Sequence, residues 1–270
     1  MRYILALFLL LLICPPAQAG QLKAYTDGDT VLQGYFAPST CPQTALTPTV
    51  LIAHQWMGLT DYEKKRADML AQRCYNAFAV DIYGKDVHPK NEGEAGRLSS
   101  IYKKDATLAR SRMKAALDFV RTLEGVDPDQ IAVFGYCFGA TMALELARSG
   151  ANIKAVVSFH GGLSSPAPVR EPGVIKAAIA VMHGAIDPHV PQTEVLTFMN
   201  EMEAAKADWT LTQYGGAMHA FTQDFVAPDP AKGVGYNKEA DEKSWRAAMD
   251  FLEVNLHPDK AYYPETRNQL

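Results

Sequence analysis

The stretch IAVFGYCFGA, residues 131–140, decides the fold. Its first four residues are apolar without interruption, which is typical of a strand buried on both faces of a parallel sheet. Glycines then flank a cysteine at positions −2 and +2, and a helix is predicted over 140–148. A nucleophile on a sharp strand-to-helix turn needs small residues at those two positions. GYCFG therefore matches a G-x-S-x-G elbow with Cys137 in place of serine.

The predicted elbow carries its own chemistry. The helix that begins there presents the positive end of its dipole to Cys137, which lowers the pKa of a thiol. The backbone N–H of Phe138 would face an oxyanion that develops at the elbow. The alternative is a small buried cysteine in a glycine-rich turn, but the strand–turn–helix setting favours the nucleophile.

Outward from the elbow, short apolar runs alternate with helical patterns. We predict helices over 61–73, 108–123, 195–205 and 243–255, and further strands over 31–37, 49–53, 77–82, 155–159, 178–182 and 209–214. Strands separated by helices indicate a mostly parallel sheet with helices on both faces, an α/β fold. Residues 87–96 are rich in Pro, Gly and charge, so we predict an excursion or lid loop there. We expect one domain over residues 20–270.

Composition excludes several classes of protein. The chain has 270 residues, of which 48% are apolar and 21% are charged. These proportions fit a globular protein with a large core, and they argue against a disordered chain, a collagen and a coiled coil. The net charge is −4 and there is no basic run, so we expect no nucleic-acid partner.

The first 19 residues have the pattern of a secretory signal peptide. Arg2 precedes an apolar run over 3–13, two prolines end the run, and Ala17-Gln18-Ala19 forms an A-x-A cleavage site. The run is too short to span a bilayer. A membrane anchor and a lipoprotein modified at Cys14 are the alternatives. We expect cleavage after Ala19, export to a periplasm or to the medium, and no membrane span in the mature chain.

Cleavage would leave three cysteines, Cys41, Cys74 and Cys137. An odd number is notable in an oxidising compartment, where cysteines tend to pair. Our hypothesis is a Cys41–Cys74 disulfide with Cys137 free. The alternative is three reduced, unrelated cysteines.

Two further residues complete a possible catalytic triad. In the hydrolase fold that carries such an elbow, the chain order is nucleophile, acid, histidine. Asp187 in MHGAIDP follows the strand predicted over 178–182, and His219 in GGAMHAF follows the strand predicted over 209–214. Taken singly, each could be an ordinary loop or helix-capping residue. Their joint order after Cys137 favours the triad.

Three other histidines, His54, His160 and His183, lie at or near the ends of predicted strands. A zinc site formed by them is an alternative, but no H-x-H or H-E-x-x-H spacing supports it. We expect structural histidines, no metal and no organic cofactor.

The chain resembles the dienelactone hydrolase family of α/β-hydrolases over roughly residues 25–255. The motifs that carry the resemblance are AHQWMGLTDYEKKRADMLA at 53–71, GYCFGA at 135–140, FHGGL at 159–163, MHGAIDPHVP at 182–191 and GGAMHAFT at 215–222. The resemblance implies an eight-stranded α/β-hydrolase sheet and a triad of Cys137, His219 and Asp187. It also implies an oxyanion hole formed by the backbone N–H groups of Phe138 and Trp56.

The chain departs from the family pattern in two places. Gln55 stands where well-known members carry a glutamate that takes the proton of the thiol, and a glutamine cannot do so. Thiolate formation would then depend on His219 and the helix N-terminus. Gln55 is instead a candidate pocket residue that bonds the thiol or a substrate oxygen. In dienelactone hydrolases, arginines bind the substrate carboxylate, and one of them lies just after the catalytic histidine. Here residues 220–223, which follow His219, are Ala, Phe, Thr and Gln, and the nearby candidates are Lys85 and Arg97. This second departure argues against dienelactone itself as the substrate.

Several large side chains are candidates for an apolar substrate pocket. They are Trp56, Met57, Tyr83 and Phe221, with ordinary core packing as the alternative.

The sequence leaves two hypotheses of function. The first is an exported Cys-His-Asp hydrolase of carboxylic esters or lactones that works through a thioester acyl-enzyme. The second is a non-hydrolytic ligand-binding or thiol-redox protein on the same scaffold. The presence or absence of an acyl group on Cys137 distinguishes them.

Overall fold

The computed structural model describes residues 20–42 and 46–257, so the predicted signal peptide lies outside the described residues. The described part of the chain forms eight strands and six helices. In chain order they are β1 (Gln21–Asp27), β2 (Thr30–Ala37), β3 (Thr47–Ala53), α1 (Asp61–Ala71), β4 (Asn76–Val80), α2 (Glu92–Lys104), α3 (Ala106–Val120), β5 (Val126–Tyr136), α4 (Phe138–Arg148), β6 (Ala155–Phe159), β7 (Ala178–Gly184), α5 (Gln192–Ala205), β8 (Trp209–Tyr214) and α6 (Lys238–Leu256).

The eight strands form one sheet in the order β1-β2-β4-β3-β5-β6-β7-β8. β1 pairs with β2, and β2 with β4, in antiparallel fashion. All strands from β4 to β8 in this order pair in parallel. This is the mostly parallel α/β-hydrolase sheet that the alternating pattern and the resemblance predict.

The central strand β3 shows how the sheet separates two cores. Successive side chains of a strand point to opposite faces. Val50 and Ile52 pack with residues of α1 and α6, whereas Leu51 and Ala53 pack with residues of α3, α4 and α5. Because both faces are covered, all four side chains are fully buried, and the strand reads as an uninterrupted apolar run.

A buried ionic cluster joins helices on one side of the sheet. Arg148, at the end of α4, is 1% exposed. Its guanidinium lies 2.8 Å from Glu201 on α5 and 3.2 Å from Glu145 on its own helix, and it donates to the carbonyl of Leu163 at 2.7 Å. Because the Arg148 guanidinium is paired and hydrogen-bonded in this way, its positive charge is tolerated in the protein interior, away from water.

The prediction of a lid loop over 87–96 is wrong from residue 92 onward, where α2 begins. Asn91 caps this helix by accepting a hydrogen bond from the Glu94 N–H at 3.0 Å. Glu92 and Glu94 place negative charge at the positive end of the helix dipole. These capping features outweigh the helix-weakening glycines of the same segment.

One strand was not predicted, and two elements begin five residues earlier than predicted. The edge strand β1 was not predicted, because its polar and apolar residues give no core signal. β5 begins at Val126, five residues earlier than the apolar run suggested. α6 begins at Lys238, where Asn237 caps the helix. In the described ranges, no helix combines the length and the apolar character needed to cross a membrane.

Candidate active site

Cys137 lies on a tight turn between β5 and α4, as the N-cap residue of that helix. Its φ is 54°, in the left-handed region that a non-glycine residue rarely adopts. A Cβ atom at Gly139 would collide with the carbonyl of Ala53, and one at Gly135 would collide with the backbone of Ala140. Only glycine fits at either position, so the flanking glycines allow the strained turn to pack against the sheet.

Cys137, His219 and Asp187 form a hydrogen-bonded chain. The Cys137 Sγ lies 3.1 Å from the His219 Nε2, and the His219 Nδ1 lies 2.8 Å from the Asp187 Oδ2. The other Asp187 oxygen accepts from the His189 N–H at 2.8 Å, which fixes the carboxylate. Each member follows a different parallel strand, β5, β7 or β8, so the carboxyl edge of the sheet brings the three together.

The charges of this chain stabilise one another. Burial by itself disfavours the imidazolium of His219, but the Cys137 thiolate and the Asp187 carboxylate outweigh burial and raise its pKa to about 10. Burial raises the pKa of the Cys137 thiol, yet the neighbouring His219, assisted by Lys103 and the Phe138 N–H, holds that pKa below its usual 9. The thiolate of Cys137 and the imidazolium of His219 therefore stabilise each other.

The turn over 55–58 has one backbone amide without an acceptor among the described residues, that of Trp56. The Gln55 N–H donates to Glu63 at 3.2 Å, the Met57 N–H to the Gln55 side-chain oxygen at 2.8 Å, and the Gly58 N–H to the Gln55 carbonyl at 3.1 Å. Within the described part of the chain, the Trp56 N–H has no acceptor. The Gln55 side chain thus holds the turn, and one amide is left available to a ligand.

A cavity of about 790 Å³ opens at Cys137 and His219. Its wall combines the reactive groups with apolar side chains from the loops after β3 and β8 and with the edge of α2. The lining residues include Gln55, Trp56, Met57, Asn91, Lys103, Cys137, Val190, His219, Ala220, Phe225, Val226 and Val234. Phe225 is 60% exposed, so the mouth of the cavity is partly apolar.

The cations at the cavity are not those proposed from the sequence. Lys85 and Arg97 are exposed and do not line it. Lys103 at the end of α2 lines it instead, together with Lys232. The sequence pattern missed Lys103 because the helix that carries it was not predicted.

Two pocket candidates lie behind the cavity wall. Phe221 is fully buried, with its ring 5.1 Å from that of His160, so it is a core residue and not a pocket residue. Tyr83 is buried, stacks on Phe138 at 5.5 Å, and donates from its hydroxyl to the Trp56 carbonyl at 2.9 Å. Tyr83 therefore supports the 55–58 turn from behind.

The three histidines considered for zinc do not converge. Among the described residues, no group of His, Cys, Asp or Glu is arranged to hold a metal ion. His54 bonds the Gln55 carbonyl at 2.6 Å, and its other ring nitrogen accepts from the Ile82 N–H at 3.3 Å. His160 bonds the Thr222 hydroxyl at 2.7 Å. These contacts are structural ones.

Cys41 and Cys74 form a disulfide, with their Cα atoms 5.2 Å apart. The bridge connects the loop after β2 to the turn after α1. In the described ranges, the remaining cysteine, Cys137, is unpaired.

Comparison with known proteins agrees with this architecture. The solved structure named m3DLH superposes with a TM-score of 0.83 at 32% sequence identity, covering 88% of this chain and 98% of that one. A dienelactone hydrolase-like promiscuous phosphotriesterase, P91, from metagenomic libraries superposes with a TM-score of 0.80 at 32% identity, covering 87% and 98%. The protein K02A2.1 of Caenorhabditis elegans is 35% identical over 144 residues, which are 53% of this chain and 91% of that protein.

The family assignment follows from a match over most of the chain. The sequence model of the dienelactone hydrolase family matches residues 32–256, a range that contains the elbow, the residues of the hydrogen-bonded chain and the 55–58 turn. The chain therefore belongs to the dienelactone hydrolase family and is a hydrolase of esters or lactones.

Proposed function

We propose that the protein hydrolyses carboxylic esters or lactones through a thioester on Cys137. The observation that carries this proposal is the chain from the Cys137 Sγ through His219 to Asp187, with 3.1 Å and 2.8 Å between successive partners, at the base of the cavity. A nucleophile within reach of a base that is itself oriented by a carboxylate is the arrangement covalent acyl transfer requires.

In the acylation step, the Cys137 thiolate attacks the carbonyl carbon and the carbonyl electrons move to oxygen. We assign the stabilisation of that oxyanion to the Phe138 and Trp56 N–H groups. When the tetrahedral species collapses, the C–O bond to the alkoxide breaks and the His219 imidazolium gives the alkoxide its proton. A thioester on Cys137 and an alcohol result, and in a lactone the alcohol stays attached to the acyl chain.

In the deacylation step, neutral His219 takes a proton from water as the water oxygen attacks the thioester. The second tetrahedral species expels the Cys137 thiolate and releases the acid, and the thiolate–imidazolium pair is restored. Asp187 keeps the His219 ring in one tautomer through both steps.

The leaving group limits the substrate class. A thiolate is itself a good leaving group, so a tetrahedral species formed from an amide would revert before the poorer amine could leave. Activated esters and lactones are therefore the proposed substrates. Gln55 cannot act as a base, and its oxygen already binds the Met57 N–H, so thiol activation is assigned to His219.

The test is hydrolysis of 4-nitrophenyl acetate by the mature protein with reductant present, beside Cys137→Ala and Cys137→Ser. We expect turnover in the wild type and none above background in Cys137→Ala. Equal rates in these two proteins would contradict the proposal. An inactive wild type whose Cys137 oxidises to a sulfenate would favour the thiol-redox alternative.

We also propose that the protein is exported as one hydrolase domain that begins after Ala19. The n-region, apolar run and A-x-A site of the N-terminus support export. The Cys41–Cys74 disulfide supports it independently, since disulfides persist mainly in oxidising compartments. Fractionation of cells that express the full chain, with the mature N-terminus read by mass spectrometry, tests it; retention in the cytoplasm would contradict it.

A further inference from the structure

Glu63 makes more contacts than helix capping requires. TDYE at 60–63 is a capping box, in which Thr60 and Glu63 bond each other's end of the first turn of α1. One Glu63 oxygen accepts from the Thr60 N–H at 2.8 Å and from the Thr60 hydroxyl at 2.7 Å. The other oxygen accepts from the Gln55 N–H at 3.2 Å, five residues before the cap. This last bond joins the helix to the turn that carries Trp56.

The carboxyl group of Glu63 lies in surroundings that disfavour its charged form. Glu63 is 0% exposed. Among the described residues, none of the groups that lower its pKa is a cation, and burial raises the pKa to about 7. A buried carboxylate without a cation is destabilising, and the hydrogen bonds of a capping box do not require that burial.

Apart from the bond that the Tyr83 hydroxyl donates to the Trp56 carbonyl at 2.9 Å, the 55–58 turn depends on few contacts. Its amides at Gln55, Met57 and Gly58 are all bonded, and of these three bonds only the one from Gln55 reaches outside the turn, to Glu63. His54 holds the Gln55 carbonyl on the other side. Removing the Glu63 acceptor would therefore leave the Gln55 amide, directly before Trp56, without its anchor.

We propose that Glu63 is a positioning residue for the oxyanion hole, which fixes the Trp56 N–H by anchoring the Gln55 amide to the start of α1. This inference rests on the proposed function, since it assigns the Trp56 N–H to the oxyanion. Glu63 itself does not line the cavity. Its effect is confined to steps in which negative charge forms on a carbonyl oxygen.

Two reactions of the same thiolate separate this role from a general structural one. Hydrolysis of 4-nitrophenyl acetate forms an oxyanion on the carbonyl oxygen. Alkylation by iodoacetamide forms the S–C bond as iodide leaves, with no oxyanion. In Glu63→Gln we expect kcat for the ester to fall roughly tenfold to hundredfold, a part of the 10²–10³-fold that loss of an oxyanion donor costs, with little change in KM. The alkylation rate should stay that of the wild type.

Matched variants make the outcome decisive. Asp105→Ala removes the N-cap acceptor of α3, where Asp105 accepts from the Leu108 N–H at 3.0 Å, and should leave kcat unchanged. Glu63→Asp keeps the charge but withdraws it from Gln55, and should also lower kcat. The proposal is overturned if both Glu63 variants keep wild-type kcat, if their alkylation falls in the same proportion, or if Asp105→Ala loses as much activity. Turnover retained in Cys137→Ala would instead overturn the proposed function.

Discussion

Replacing the buried carboxyl group of Glu63 should change how the stability of the fold depends on pH. Burial raises the pKa of Glu63 from its usual 4.5 to about 7 in the folded protein. Because the folded state binds this proton more tightly than the unfolded state, the contribution to stability is full below pH 4.5 and is lost as the pH rises through 7. Glutamine does not titrate, so Glu63→Gln lacks this loss.

The magnitude follows from the two pKa values. Between pH 5 and pH 8 the wild type should lose roughly 2.5 kcal/mol of unfolding free energy that Glu63→Gln does not lose. For a chain of this length that is about 5–10 °C in Tm. Glu63 is fully buried, so solvent screening does not reduce the effect.

Urea unfolding of both proteins at pH 5, 6, 7 and 8 measures this difference. Other titrating groups, including the triad, are common to both proteins and cancel in the comparison. Wild-type stability should fall relative to the variant as the pH rises. Parallel curves from pH 5 to pH 8 would refute the reasoning, because they would mean that Glu63 titrates alike in the folded and unfolded states.

Three further predictions concern other parts of the molecule. Asp187→Asn should lower kcat by roughly 10⁴-fold with little change in Tm, because the histidine loses its tautomer; a loss below tenfold in steady-state kinetics would contradict this. Reducing the Cys41–Cys74 bridge, or replacing both cysteines with serine, should cost roughly 3–4 kcal/mol in urea unfolding and leave kcat unchanged; an unchanged midpoint would contradict it. Arg148→Met should cost roughly 3–5 kcal/mol because Glu201 is left buried without a cation, and a wild-type Tm would show that the ion pair contributes nothing.

The features that the sequence predicted well are the local ones. The elbow around Cys137 needs glycine at two fixed positions, so a five-residue window identifies it. The chain order of Cys137, Asp187 and His219 follows from the order of the strands, and the strands that carry them are buried on both faces and read as apolar runs. The α/β-hydrolase fold was accessible for the same reason.

The features that it missed depend on tertiary placement. Helix α2 has glycines in its first turns, which hide its capping residues in the sequence pattern, and Lys103 therefore could not be placed at the cavity. Phe221 follows the histidine of the triad by two residues, yet its side chain points into the core beside His160. The hydrogen bond from the Gln55 N–H to Glu63 could not be predicted either, because it depends on a turn eight residues away that only the folded chain brings close.

The most direct test of the central claim is the mass of the protein during turnover. Wild type and Cys137→Ala would be mixed with excess 4-nitrophenyl acetate, quenched in acid within the first turnovers, and measured intact and after peptide digestion. The account predicts one acetyl group on the wild type, located on Cys137, that disappears as the substrate is consumed, and none on Cys137→Ala. Steady hydrolysis with an unmodified Cys137, or an acetyl group that accumulates on another residue, would contradict it.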